Sequence, residues 1–259
     1  DKLRTFVRHA TDEDNTPSYS VMLINTGGGN LDLGRHGRIH WWHIESDNVI
    51  RYVAGDDRRE SIVWVELITA DGDVRIYTRE GEELPPDVEA QARTMDCIDC
   101  HNRPTHLFNT PAKSIDWVLE THPELRDLPY YKKQAKQAIE SEYATHAEGV
   151  ATVRESMFAF YQSEYPELAA DKAELVESGA DYASRVFART SFPEMKTNWE
   201  THPNHIGHDD FPGCWRCHDD ELATADGEHV IPMECENCHV FLVEDAPELP
   251  DFAVLVNGS

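Results

Sequence analysis

Three pentapeptides of the form Cys-x-x-Cys-His use up all six cysteines of this 259-residue chain. They are Cys97-Ile-Asp-Cys100-His101, Cys214-Trp-Arg-Cys217-His218 and Cys235-Glu-Asn-Cys238-His239. Two thiols at this spacing add to the two vinyl groups of one porphyrin, and the adjoining histidine then meets the iron from one face. The pattern predicts three covalently attached c-type haems. Cys97, Cys100, Cys214, Cys217, Cys235 and Cys238 would carry them, with His101, His218 and His239 as proximal iron ligands. Electron transfer is the expected function.

Other chemistries fit the cysteines less completely. Cys214, Cys217, Cys235 and Cys238 also have the C-x2-C…C-x2-C spacing of a four-thiolate zinc site. That reading leaves Cys97 and Cys100 without a second pair. It also leaves the histidines unexplained. With 14 histidines in the chain, a given position is histidine with odds of about 0.05, and three such placements by accident come to about 1 in 6,000. An even cysteine count allows a disulfide framework, but each pair lies only three positions apart. A thioredoxin-like redox pair needs one motif in a βαβ setting, not three in loops.

The charge bounds the partners. There are 23 Lys and Arg against 49 Asp and Glu, a formal net charge of -26. Phosphates would be repelled, so nucleic acid is not an expected partner. A basic soluble cytochrome is a natural docking partner for such a surface. A solvated acidic exterior, or a high-salt habitat, accounts for the same numbers. Hydrophobic residues make up 40%, enough to bury a core in one large or two modest domains. No run of 18 apolar residues could span a membrane, and no signal peptide opens the sequence. Asp1-Lys2-Leu3-Arg4 reads as the start left by a cleaved leader or as an internal stretch of a longer chain. Covalent haem attachment takes place outside the cytoplasm. The expected location is therefore periplasmic or extracellular, with attachment to the outer face of the cytoplasmic membrane through a partner or an N-terminal helix not in this sequence.

The periodicity predicts an α+β fold: an N-terminal antiparallel β meander, then a helical, haem-dense region with long loops. Residues 1–92 are β-rich. Strands are expected at 19–24, 38–44, 49–53, 61–69 and 74–78, and Asp71-Gly72 between two alternating runs is a hairpin signal. The glycine triplet at 27–29 lacks a phosphate-loop context. Residues 93–190 hold the first haem motif and a helical scaffold, which opens with a Thr110 cap and Pro111 in the first turn. Helical spacing continues from Pro129 to about Thr190, with a fresh start at Pro166. Residues 191–259 form the two-haem C-terminal region, where Val240–Val243 and 252–256 add strands or a docking tail. Trp117-Val-Leu-Glu-Thr-His-Pro123 is faintly echoed by Trp199-Glu-Thr-His-Pro203.

Each iron needs a second axial ligand unless it binds a substrate. His106 follows the first motif closely and is placed to reach a neighbouring haem. His208 lies just before the second motif. His40 and His43 flank two tryptophans in a strand-like segment. Strand residues three apart face opposite sides, so one of the two is expected to face haem: His43 first, His40 second. His202 and His205 are reserves. Met95 and Met233 lie near motifs and would raise the potential relative to bis-histidine ligation, but the surplus of histidine favours the latter.

The stretch Thr94-Met-Asp-Cys-Ile-Asp-Cys-His-Asn-Arg-Pro-Thr-His106 resembles a signature of periplasmic multihaem cytochromes of the NapC/NirT-like family. Phe192-Pro-Glu-Met-Lys196, Asn204-His-Ile-Gly-His208, Phe211-Pro-Gly-Cys-Trp-Arg-Cys-His218 and His40-Trp-Trp-His43 before the strand at Trp64 are similar to that group too. The likeness runs from about residue 35 to 239. It implies an electron-transfer subunit of a membrane-associated respiratory complex, with redox proteins or other subunits as partners. It also implies His43, His106 and His208 as distal ligands. The small quinol-oxidising members carry a membrane helix and four haems, and neither is visible here. The rival readings are a haem enzyme with one open iron, a zinc-stabilised docking module, and a structural subunit that docks other cytochromes.

Overall fold

The computed structural model describes residues 1–27, 37–103 and 107–251. In chain order the strands are β1 (Lys2–His9), β2 (Pro17–Ile24), β3 (Val49–Ala54), β4 (Ile62–Ile68), β5 (Val74–Arg79), β6 (Arg93–Thr94), β7 (Ser191–Phe192), β8 (Thr197–Asn198), β9 (Leu222–Ala223) and β10 (His239–Ala246). The α-helices are α1 (Val88–Gln91), α2 (Pro111–Thr121), α3 (Tyr131–Ile139), α4 (His146–Glu164), α5 (Pro166–Asp171), α6 (Ala173–Thr190) and α7 (Cys235–Cys238). This is an α+β fold, as expected. The chain divides into two compact units, each assembled from separated stretches.

The first unit comprises Asp1–Arg4, Leu23–Thr105 and His202–Val240. Its frame is a five-stranded sheet in the order β6-β3-β4-β5-β9. β3, β4 and β5 are the predicted meander, antiparallel throughout, with Tyr52 opposite Val65 and Trp64 opposite Thr78. Gly72 sits in the β4–β5 turn at φ +90°, a conformation glycine adopts without steric penalty. A register shift between Val53 and Ala54 marks a bulge in β3. Tyr52, Ile62, Val65, Tyr77 and Leu222 form one buried cluster, and Cys217 packs against it. Val53, Val63 and Trp64 form another, with Val88 and Ala92 against it. The two short edge strands matter most for function. β6 ends three residues before Cys97, and β9 begins four residues after His218, so the sheet edges hold the first two cysteine motifs in place.

The second unit comprises Thr5–Met22, His106–Thr201 and Phe241–Ser259. Helices α2, α3, α4 and α6 enclose its core around Ile115, Leu119, Tyr131, Met157, Tyr161 and Phe187. The Thr110 side chain accepts from the Lys113 amide and Pro111 opens α2, as its sequence predicts. α4 and α6 meet at Gly149, where a Cβ would lie 2.2 Å from the Phe187 ring. Strands β1, β2 and β10 form a three-stranded sheet in that order, and most of their residues belong to this unit. β2 therefore joins β1 and β10 instead of the meander. β1 carries few apolar residues, and β10, which pairs with β2 on its other side, lies at the far end of the chain, so neither periodicity nor a hairpin signal announces this sheet. The second expected strand at the C-terminus, 252–256, lies outside the described residues. The Asp116 carboxylate ties this unit together: it accepts from Lys132 Nζ at 2.6 Å and from the His9 amide at 2.8 Å, all three residues being buried.

Candidate haem sites

Each Cys-x-x-Cys-His pentapeptide folds into one short helical turn. Cys97–Asp99 and Gly213–Arg216 are 3-10 turns, and Cys235–Cys238 is a single α turn. In all three the histidine amide donates to the carbonyl of the first cysteine: His101 to Cys97 at 2.8 Å, His218 to Cys214 at 3.1 Å, and His239 to Cys235. The closed turn brings both sulfurs and the histidine to one local site, as covalent attachment of one porphyrin requires.

The segment 38–44 is not a strand. Trp41–Glu45 is a π-helical turn entered from His40, whose backbone is already helical. The Trp42 amide donates to the Arg38 carbonyl at 3.0 Å, and Ser46 donates to the Trp41 carbonyl at 2.9 Å. Residues three apart on a helix share a face, so the strand argument that separated His40 from His43 does not apply. Both point at motif histidines.

Each motif histidine is faced by a second histidine within the first unit. The ring centroids of His40 and His101 are 6.2 Å apart, those of His43 and His218 5.9 Å, and those of His208 and His239 6.1 Å. These separations can be tested against an iron held between two imidazoles. Bonds of about 2.0 Å on either side of a metal, plus about 1.1 Å from each nitrogen to its ring centre, set the centroids about 6 Å apart. All three pairs fit. His106 lies outside the described residues, and the ring that faces His101 is His40.

The outer nitrogens fix the rings. His43 Nδ1 lies 2.7 Å from the Ile39 carbonyl, His218 Nδ1 3.0 Å from the Pro232 carbonyl, and His40 Nδ1 3.3 Å from the Gly27 carbonyl. Donation from Nδ1 leaves Nε2 as the bare nitrogen, the one able to take a metal. Burial lowers the pKa of His43 and of His239, which favours the neutral imidazole that ligates. Burial also raises the thiols of Cys100, Cys214 and Cys238, and pushes Cys217 up to about 12. Among the described residues no three His, Cys, Asp or Glu side chains converge in a way that could hold a metal ion.

No family model and no solved structure matches the chain. Among curated proteins it is 35% identical over 254 residues to the cytochrome c-type protein ImcH of Geobacter sulfurreducens (strain ATCC 51573 / DSM 12127 / PCA). The chain is homologous to a c-type cytochrome. The alignment takes in 97% of this chain and 49% of the relative, so the chain spans about half the length of the protein it matches.

In this chain the residues between the paired cysteines are more than spacers. Asp99, in the first motif, is buried and accepts from Tyr52 Oη at 2.7 Å, Arg93 Nε at 2.8 Å and Arg59 Nη1 at 3.1 Å. Burial acts to raise its carboxyl, yet the Tyr52 hydroxyl, the Asp96 amide and Arg93 hold it below the ordinary carboxylate range. Arg216, in the second motif, is buried too. Its guanidinium donates to the carbonyls of Gly213 at 2.7 Å, Asp99 at 3.0 Å and Arg59 at 3.1 Å. The first and second attachment turns are thus bonded directly. Asn25 does similar work for the third. Its amide donates to the Cys238 carbonyl at 2.8 Å and its side chain to the Glu236 carbonyl at 3.1 Å. Its own carbonyl accepts from the Ile39 amide at 3.2 Å, at the start of the His40–His43 turn. Sequence reading passed over Asn25, Asp99 and Arg216. The available signal was an acid and a base placed inside two motifs of a chain whose motifs must pack together. The reserve ligands His202 and His205 and the methionines Met95 and Met233 face no motif histidine ring among the described contacts. His205 is buried with its Nε2 unpartnered among the described residues.

Proposed function

We propose that this chain is an electron relay through three covalently bound haems, each with bis-histidine ligation. His40 and His101 would hold the first haem, at Cys97 and Cys100. His43 and His218 would hold the second, at Cys214 and Cys217, and His208 and His239 the third, at Cys235 and Cys238. When bound, haem iron supplies one-electron Fe(III)/Fe(II) exchange, and two imidazoles give it a lower potential than a histidine–methionine pair. The protein's part would be to hold the two imidazoles of each pair at ligating distance from one iron, leave no open position for a substrate, and keep the three sites on one framework. The observation that carries this reading is the three histidine pairs, each about 6 Å apart.

The same reading places the protein outside the cytoplasm, in the periplasm or beyond, within a respiratory chain of the NapC/NirT-like kind. Redox proteins or subunits of a membrane-associated complex would be its partners. The net charge of -26 favours a basic cytochrome as one of them. Among the described residues no helix is long and apolar enough to cross a membrane.

A pyridine haemochrome assay with zinc analysis, followed by EPR on the oxidised protein, tests the proposal. Three haems per chain, all low-spin, are expected. A lower haem count or bound zinc would overturn the three-haem reading. One ligand-accessible high-spin haem would replace the pure relay with a haem enzyme.

A further inference from the structure

The second motif sends its two interior residues in different directions. Arg216 reaches the first motif through the Asp99 carbonyl. Trp215 lies over His208, the ring that faces His239 of the third motif. The Trp215 and His208 ring centroids are 4.0 Å apart and their planes 10° from parallel, a stacked pair. The loop between them is held closed at its ends, with the Cys214 amide donating to the Gly207 carbonyl at 2.8 Å. The stack therefore joins two sites: Trp215 belongs to the attachment turn of the second haem, and His208 to the distal side of the third.

We infer that Trp215 is a positioning residue that sets the ring plane of His208, so that the attachment turn of the second haem shapes the third site. This rests on the bis-histidine reading given above. The His208 ring is not stacked on His239, since the two ring centroids are 6.1 Å apart and their planes 36° from parallel. The indole supplies the missing restraint. Stacking of two flat rings restricts rotation of the imidazole. The apolar cover also excludes water from one face of the ligand, and a dry shell around a haem ligand raises the reduction potential by disfavouring the charged ferric state. Among the described residues His40 and His43 have no comparable stacked ring: their Nδ1 atoms meet backbone carbonyls instead. The third site is tuned differently from the other two.

The test uses the haem-loaded protein and three variants, Trp215→Leu, Trp215→Phe and His208→Ala, read by EPR and by spectroelectrochemical titration. Trp215→Leu is expected to keep three low-spin haems while shifting the g values of one and lowering its midpoint potential. Trp215→Phe should restore most of both shifts, because a flat ring is retained. His208→Ala should turn one haem high-spin. If Trp215→Leu matches the parent in g values and potentials while His208→Ala yields a high-spin haem, the ligand reading stands and the role of Trp215 is overturned. If His208→Ala leaves every haem low-spin, the ligand reading itself fails. If Trp215→Leu does not accumulate, Trp215→Phe decides. Parent-like spectra then support a ring requirement, and loss of the third haem counts against a positioning role.

Discussion

Arg216 donates from Nη2 to the carbonyl oxygen of Asp99 at 3.0 Å, so one attachment turn is bonded through its spacer to another. The same guanidinium also satisfies the Gly213 and Arg59 carbonyls. Removing it in Arg216→Ala strands buried acceptors, at a cost of about 1–3 kcal/mol for each left unpaired. We expect a fall in Tm on the order of 10 °C, followed by circular dichroism and by the Soret band. Arg216→Lys should recover only part of it, because a single ammonium cannot reach three carbonyls in one plane. Full recovery with lysine would show that charge alone matters here.

His40 and His43 share one helical turn yet face different motif histidines. Their single alanine variants should therefore act on different haems. His40→Ala and His43→Ala are each expected to keep the covalent haem count and to make one haem high-spin. The double variant should show two. Resonance Raman spin-state marker bands on the ferric proteins would count them. One high-spin haem in the double variant would mean that the turn serves a single site.

Gly213 sits at φ +49°, and a Cβ there would lie 1.7 Å from the Gly207 carbonyl oxygen. Backbone, not a flexible side chain, is in the way, so the loop carrying His208 must move if Gly213 is replaced. Gly213→Ala should lower the yield of folded protein and the occupancy at Cys214 and Cys217. Intact-mass spectrometry reads this directly, as a population short by one haem. Gly227, at φ +72° with nothing within 4 Å of where a Cβ would stand, offers a control: Gly227→Asn should leave haem content unchanged.

Acid should destabilise the protein through His205. Burial, reinforced by the Arg216 guanidinium, holds this histidine at about 4 in the folded chain, against an ordinary value of 6.5. The unfolded chain then binds the extra proton first. The stability this group contributes is fully present above pH 6.5 and is lost as the pH falls from 6.5 towards 4. Denaturant unfolding across that window should show a declining midpoint, and His205→Gln should flatten the decline. An unchanged slope in the variant would assign the acid sensitivity to other groups.

The parts of this fold that were legible in the sequence are those whose cause is local. Cys-x-x-Cys-His closes within five residues, so its turn could be read from spacing. Thr110-Pro111 carries its own cap, and Asp71-Gly72 its own hairpin. The His40–His43 turn misled for a physical reason: two tryptophans between polar residues look alternating, and nothing in that stretch signals the bond from Ser46 to the Trp41 carbonyl that makes it a π turn. The pairing of rings was only partly legible. His43 and His208 stood out as candidates, but which motif each would face depends on how the sheet edges present the turns. Trp215 and Arg216 were read as spacers because motif spacing says nothing of where an intervening side chain goes.

The three histidine pairs bear on how this protein is made. The proximal ring of each pair lies within its own five-residue turn, whereas His40 and His43 reach their partners across long intervening stretches of chain. A haem joined by thioethers to one stretch and by a distal imidazole to another is, in polymer terms, a cross-link, and closing long loops in the denatured chain removes more of its entropy than closing short ones. The second haem would fasten the N-terminal turn to the C-terminal region and act as a reversible staple. Displacing a single axial imidazole would loosen it while every covalent bond stayed in place.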